Sequence, residues 1–422
     1  MTPSPLPIPL PAWLPLLRKL RAVSAVGQLG HTVGAAAALH VSQSAVVRAV
    51  QDVESALGQP LFERAARGMR PTPAGQAVVL RVGRALDCLV PVDRNARVPH
   101  AAALGWTHSR VASGAGHRHL AAFLAVCRGG QEKRGAAALG ISTAAVHEAL
   151  TQFEHQSGGA LFERHRQGVR LTAHGEGALR AVQLALAELA QAESEWTASQ
   201  GRMSGQIVIG TLPFSTGLFL PQAIETVLRE HPGLRISVID GTFDQLLRQL
   251  RFAELDLVVG ALRDPRQAPE VRQEALFEDP LAVVARAGHP LSRRTRLRLR
   301  DLQRAAWIMP MPGTPAQAAF DQAFAEAGLG APADSLRVNS PVLMMAMLGA
   351  GDRLALTSPR HVQAEVAAGL LCVLPVTVRH APRRIGVMSR RDYLPPPGVQ
   401  RLLEAMRAAA AHMEQTAIKP NA

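Results

Sequence analysis

Two groups of side chains carry the chemistry open to this sequence. Gln43, Ser44, Arg48 and Gln51 face outward from one helical stretch capped by Ser42, and Arg64, Arg67 and Arg70 cluster around Gly68 just beyond it. Polar groups at the start of a helix suit a DNA major groove, and a basic glycine hairpin suits the phosphate backbone. Covalent chemistry has no comparable candidates. The sequence holds no GxSxG, P-loop or HExxH, and Cys88, Cys127 and Cys372 are too far apart for a zinc pattern. No catalytic residue, metal or cofactor is expected.

The elements that must position these groups can be read locally. Ser42 caps a helix to about Leu57, with Val46, Val50, Val53 and Leu57 at spacings of three and four as its buried stripe. An alanine-rich helix precedes it across His40-Val41, which is helix-turn-helix grammar. The same phrase then returns 100 residues later: LFERAARGMRPTPAG from Leu61 is answered by LFERHRQGVRLTAHG from Leu161. Ala35 to Leu39 is answered by Gly135 to Leu139, Ser42 by Ser142, Glu54 by Glu154 and Gly58 by Gly158. Each copy is a module.

With 422 residues, two or three domains are expected. Lys and Arg number 46 against 33 Asp and Glu, a formal charge of +13, which favours a polyanionic partner or an anionic ligand. The scattered cysteines fit a reducing compartment, so a cytoplasmic location is expected. The opening MTPSPLPIPLPAWLPLL is studded with prolines and lacks a basic start; it reads as a loose arm over 1–15, not as a signal peptide or membrane helix.

From Ala37 the chain reads AALHVSQSAVVRAVQDVESALGQPLFER, followed by Arg67-Gly68 and Thr72 to Gly75. This resembles the LysR-type transcriptional regulators, whose pattern runs AAxxLxVSQPALSRxIxxLExxLGxxLFER and then RGxxLTxAG. The resemblance covers nearly the whole chain after the proline arm. Val47 stands where the family usually has Ser or Thr, and Pro71 where it has Leu. The resemblance implies that Ser42, Gln43, Ser44, Arg48 and Gln51 meet the groove while Arg64, Arg67 and Arg70 hold the backbone.

The second copy departs further. Glu148 replaces Arg48, preceded by His147, and Thr143 replaces Gln43. A carboxylate repels phosphate, although it can accept from a cytosine amino group. From Arg18 to Arg94 there are ten basic and five acidic residues, a net of +5; from Arg110 to Glu195 there are nine and eight, a net of +1. Copy one is expected to be the better DNA reader.

A long helix from about Ala173 to Ser199 follows copy two, with Leu179, Val182, Leu186, Leu189 and Trp196 as an apolar seam; in the family this linker helix pairs subunits. Copy one has the matching seam Val79, Val82, Leu86 and Leu89, stopped by Pro91. The two helices could instead pair within one chain, as a pseudo-dimer.

After Gly205 strands and helices alternate, as QIVIG, LRISVID and LDLVVG, which argues for a parallel, doubly wound sheet with its ligand site at the C-terminal strand ends. The stretches GQIVIGTLPFSTGLFLPQAI, LLRQLRFAELDLVVGAL and AGHPL resemble the effector domain of the LysR subgroup named after the galactose-binding-protein regulator, which also includes regulators of aromatic-acid catabolism. The resemblance implies effector contacts at Thr211, Pro213, Phe214, Ser215, Gly260, Pro312, Gly313, Thr314, Thr357 and Ser358. The arginines of Ser292 to Arg300 and His117-Arg118-His119 read as surface.

The expected fold class is α/β overall, with two all-α-rich winged helix-turn-helix modules followed by a two-lobed α/β periplasmic-binding-protein-like domain. The expected divisions are a proline-rich arm at 1–15, module one at 16–90, a connector at 91–116, module two at 117–171 and a linker helix at 172–200. The effector domain follows at 205–415, with lobe one at 206–280 and 377–415 and lobe two at 281–376. The expected function is a DNA-binding regulator controlled by a small molecule, a sugar-derived or aromatic acid; the expected partners are double-stranded DNA and further copies of the chain, as dimer or tetramer, with no membrane. The alternative is a small-molecule binding protein whose helix-turn-helix modules have become interaction domains.

Overall fold

The computed structural model describes residues 9–65, 68–100, 102–166, 168–214, 217, 219–332, 336–378 and 383–417. Arg67 and Ser215 lie outside the described residues. The chain divides into two compact units, the first chiefly Met1–Gly205 and the second most of the remainder.

In the first unit the repeated phrase builds the same object twice. Module one runs α1 (Leu17–Leu29), α2 (Thr32–Leu39), α3 (Gln43–Leu57), the hairpin β1 (Phe62–Ala65) and β2 (Gly68–Pro71), and α4 (Pro73–Leu89). After a short α5 (Arg110–Gly114), module two repeats it as α6 (His117–Gly129), α7 (Glu132–Leu139), α8 (Thr143–Ser157), β3 (Phe162–His165), β4 (Gly168–Leu171) and α9 (Ala173–Ser199). Ser42 and Ser142 cap α3 and α8 by accepting from Ala45 N and Ala145 N. Glu54 Oε1 accepts from Leu61 N at 2.8 Å, and Glu154 Oε1 from Leu161 N at 2.7 Å, so each module's hairpin is tied to its capped helix. At the head of β2 and β4, Gly68 and Gly168 have φ of 131° and 139°, and a Cβ on either would run into the carbonyl oxygen of Gly30 or Gly130.

The modules are locked together by α4 and α9, which lie along each other. Arg81 reaches Glu195 Oε1 at 2.5 Å, Gln191 Oε1 at 2.7 Å and Glu188 Oε2 at 2.8 Å. Arg84, one turn further on, reaches back to Glu188 Oε1, and Arg94 N donates to Ser157 O, ahead of α9. The helices therefore run antiparallel. Burial works against the Arg81 charge, but the hydrogen bonds to Glu195 and Glu188 outweigh it and hold the guanidinium above its ordinary pKa.

This packing corrects three expectations. Leu179, Val182, Leu186, Leu189 and Trp196 are buried inside this chain in one core with Val79, Val82, Leu86 and Leu89, so the seam read as joining two subunits is already closed within one. The arm is anchored at its described end: Trp13 and Leu14 are buried, and the Trp13 ring packs edge-on to Trp196 while the Trp13 backbone N–H donates to Glu193 Oε1. The indole gives that end enough apolar area to dock. His119, read as surface, is buried, and its Nδ1 accepts from Gly116 N. The connector is packed as well, with Leu104, Trp106 and Val111 buried. Arg21 from α1 donates to its carbonyls at Ala112 and Ala115; burial, aided by Arg18, lowers the pKa of this arginine to about 9.

The second unit contains two mixed sheets. Lobe one holds β5 (Gly205–Thr211), α10 (Leu220–Glu230), β6 (Leu234–Asp240), α11 (Phe243–Arg251), β7 (Leu257–Ala261) and β8 (Val271–Asp279). Lobe two follows with β9 (Ala282–Arg286), α12 (Leu299–Leu302), β10 (Ala306–Ile308), α13 (Pro315–Glu326), α14 (Pro341–Ala350), β11 (Arg353–Thr357), α15 (Gln363–Ala367) and β12 (Leu371–Val373). The chain returns to lobe one as β13 (Arg383–Arg390) and ends in α16 (Pro397–Ala417). Strand orders are β6-β5-β7-β13-β8 and β10-β11-β9-β12. β5 and β7 are parallel, as the alternation predicts, but β13 inserts antiparallel between β7 and β8. A strand returning from the other lobe enters from the opposite end, so the sheet is not purely parallel.

Replacing Arg81 with Met should strip the half-buried Glu195 of its ion-pair partner and leave Glu188 to Arg84 alone, at a cost of about 3 kcal/mol. The measurement is urea unfolding followed by tryptophan fluorescence, where the transition of the first unit should move to lower denaturant.

Candidate nucleic-acid interface and ligand cavity

The start of α3 presents an open polar face. Ser42, Gln43, Ser44, Arg48 and Gln51 are all exposed, while Val46, Val50 and Val53 are buried beneath them. Gln43 Nε2 donates to Thr32 Oγ1 at 3.0 Å and Ser44 lies 3.0 Å from the Ser42 hydroxyl, which steadies both side chains. Arg64 and Arg70 are exposed on the hairpin. Neither Arg48 nor Arg64 has an ion-pair partner among the described residues. One turn along α3 from Arg48, Asp52 pairs with Lys19 at 2.9 Å.

Module two keeps the scaffold and changes the face. Glu132, in the place of Thr32, takes His147 at 3.2 Å and Arg164 at 3.3 Å, so the counterpart of Arg64 is already engaged. Glu148 Oε1 accepts from Gln152 Nε2 at 3.1 Å, and Gln152 Oε1 lies 3.0 Å from His119 Nε2. Because His119 Nδ1 accepts from backbone, its Nε2 carries the proton toward Gln152. His119 and Gln152 thus stand where module one has Lys19 and Asp52. The part played by Glu132 was missed in the sequence; its signal was an acid directly opposite Thr32 in the repeat.

Between the two lobes lies a cavity of about 690 Å³ at the ends of β5, β7, β10 and β11. Of the sequence-predicted contacts, Pro213, Phe214, Pro312, Gly313, Thr314 and Thr357 line it. Thr211, Gly260 and Ser358 do not, and each has a structural task. The Thr211 hydroxyl donates to Asp240. Gly260, with φ of 153°, leaves room for Leu212. Ser358 Oγ donates to Asp279 Oδ1 at 2.6 Å. Thr314 caps α13 and donates to Met311 O, so its hydroxyl is partly spent.

Sequence reasoning missed the two arginines on the cavity wall. Arg383 is spent on Asp279 at 2.9 Å and on the Phe214 carbonyl. Arg263 lies 5.1 Å over the Phe243 ring and its guanidinium makes a long contact to Ala261 O, with no paired carboxylate among the described residues. Burial and then Arg383 lower its pKa to about 10, with Asp244 opposing them. Its sequence signal was a lone arginine just past the end of β7. The Thr357 hydroxyl is buried on the wall without a hydrogen-bond partner among the described residues. Most of the remaining wall is apolar, as at Leu212, Ile308, Met309, Val338 and Met344.

Comparison with known proteins bears on both features. Residues 200–411 match the LysR substrate binding domain, and residues 17–76 and 117–176 each match the bacterial regulatory helix-turn-helix protein, lysR family. The HTH-type transcriptional regulator GalR of Pseudomonas putida is 33% identical over 394 residues, 93% of this chain and 97% of that protein, so the alignment spans both modules. The HTH-type transcriptional regulator PcaQ of Agrobacterium fabrum is 29% identical over 70% of this chain and 95% of that one. Among solved structures, full-length OxyR from Pseudomonas aeruginosa is 20% identical with a TM-score of 0.54, covering 69% of this chain and 94% of that one. Full-length CbnR complexed with its target DNA is 19% identical with a TM-score of 0.50, covering 69% and 99%. These two share the fold.

Thr357→Val removes a buried hydroxyl that has no partner and keeps the side-chain shape. The unliganded chain should be unchanged or gain about 1 kcal/mol. Thermal unfolding without ligand is the measurement, and a clear loss would mean that the hydroxyl is satisfied.

Proposed function

The chain belongs to the LysR family of bacterial helix-turn-helix regulators, and from that premise we propose that module one reads double-stranded DNA under the control of an organic anion bound between the lobes. The observation that carries this reading is the exposed, unpaired Arg48 at the start of α3, in a chain that also holds a cavity with the uncompensated Arg263 on its wall. Arg48, Gln43, Ser44 and Gln51 would enter the major groove, with Arg64, Arg67 and Arg70 on the backbone.

The cavity favours an aromatic acid over a sugar-derived one. A carboxylate would supply the ion-pair partner that Asp244, on the same wall, does not give Arg263, and an acceptor for the Thr357 hydroxyl, while the apolar wall suits a flat hydrocarbon body. A sugar acid would have to satisfy its hydroxyls at Thr242, Gln267 and Asn339 alone, because Ile308, Met309 and Met344 offer them no partner. Ligand binding would favour one lobe arrangement over another, as a population shift. Since the α9 seam is used inside the chain, association of chains into a dimer or tetramer would need other surfaces.

Arg48→Ala should weaken operator binding by about 1–3 kcal/mol, roughly 5- to 150-fold, whereas Glu148→Ala should change it less than about threefold. Fluorescence anisotropy with labelled operator measures both, and equal losses would refute the division of labour. For the cavity, Arg263→Leu should abolish the rise in melting temperature given by aromatic carboxylates. The charge of Arg263 is present below its pKa, so affinity for the anion should hold at neutral pH and fall as pH rises through about 10. An ordinary arginine would keep its charge well beyond that. Calorimetric titration of the wild-type chain across this range checks the sign.

A further inference from the structure

The two modules share the serine caps, the ties from Glu54 and Glu154 and the threonine caps, yet the faces that would meet DNA differ: module two gains cations at Lys133, Arg134 and Arg166 but places acids at two positions of the reading face itself. At two places 100 residues apart, module one has a neutral or cationic group where module two has an acid: Thr32 against Glu132 and Arg48 against Glu148. Glu132 does not stand idle. It takes up Arg164 and His147, the counterparts of Arg64 and Val47, while Arg166 and Arg170 stay exposed on the hairpin. Glu148 is held in place through Gln152 by the buried His119, so its carboxylate is a fixed feature of the face.

We propose that module two is a charge-muted twin: Glu132 and Glu148 keep it off DNA, and its partner is module one of the same chain, along the antiparallel α4 and α9. This rests on the reading of module one as a DNA binder. Binding to a duplex is driven largely by cations that displace counterions from phosphate. Arg164, paired with Glu132, releases fewer of them than a free arginine would, and Glu148 opposes the approach directly. The α4 and α9 seam, with Arg81 across it, accounts for why such a module is kept: without it, the apolar stripe of α4 would face water. Each chain then brings one reading face to DNA.

The test is selection of duplexes from a random pool by the full-length wild-type chain and by the double variant Glu132→Thr, Glu148→Arg, with the mass of each complex measured. Thr and Arg are the residues that module one carries at these places, and neither glutamate is buried. Wild type should enrich a duplex with one half-site per bound chain. The variant should enrich one with two, bind it at least about tenfold more tightly at low salt, and steepen the slope of log affinity against log salt by about 2. Two half-sites per wild-type chain would overturn the muting while leaving the DNA reading intact. So would a variant whose site and salt slope match wild type, provided its melting curve is unchanged. Failure of wild type to enrich any duplex would instead overturn the DNA reading on which the proposal stands.

Discussion

A single buried guanidinium organises the first half of this protein. Arg81 is surrounded by Glu188, Gln191 and Glu195, and a charge so enclosed is stable only while those oxygens stay where they are. The constraint fixes the register of α4 against α9, and each of those helices is capped by the threonine that ends its own hairpin, Thr72 or Thr172. The apolar seam supplies area but would tolerate sliding. The arginine does not, because a shift of one turn would leave two carboxylates facing hydrocarbon. The anchoring of Trp13 on Trp196 and the packing of the connector follow from a helix pair that cannot slip.

The second unit meets a similar demand with a different device. Asp279 closes β8 just before the chain leaves lobe one, and it accepts from Ser358 in lobe two and from Arg383 at the start of the returning β13. One carboxylate thus gathers both crossings between the lobes at the edge of the cavity. Arg383 is consumed there, and Arg263 is left as the cation with unspent valence. That division, one arginine for the frame and one for the guest, explains why two neighbouring guanidiniums need not compete for the same anion.

Much of this was legible in the sequence because it is local. The serine caps of α3 and α8, the buried stripe of α3 and the full length of α9 follow from spacing and residue type alone, and the repeat announced itself. What was not legible depended on distant partners. The seam on α9 was visible, but nothing along α9 says that α4 of the same chain covers it. Arg81 did interrupt an apolar stripe, which was a clue. The direction of β13 could not be read, since it is set by a return from the other lobe. In the cavity, position at a strand end put Phe214, Thr314 and Thr357 on the wall but not Thr211 and Ser358, whose hydroxyls are taken by acids far along the chain.

The lock between the modules is one-sided. The residue 100 positions after Arg81 is Ala181, and those 100 positions before Glu188, Gln191 and Glu195 are Cys88, Pro91 and Asn95. In an assembly of two identical chains, every substitution appears twice, and an arginine gained on one face is gained on the other. Fusion into one chain removes that rule. Each half can then accumulate changes alone, and a lineage carrying such a gene can explore unequal pairs without a second locus or any need to match the expression of two products.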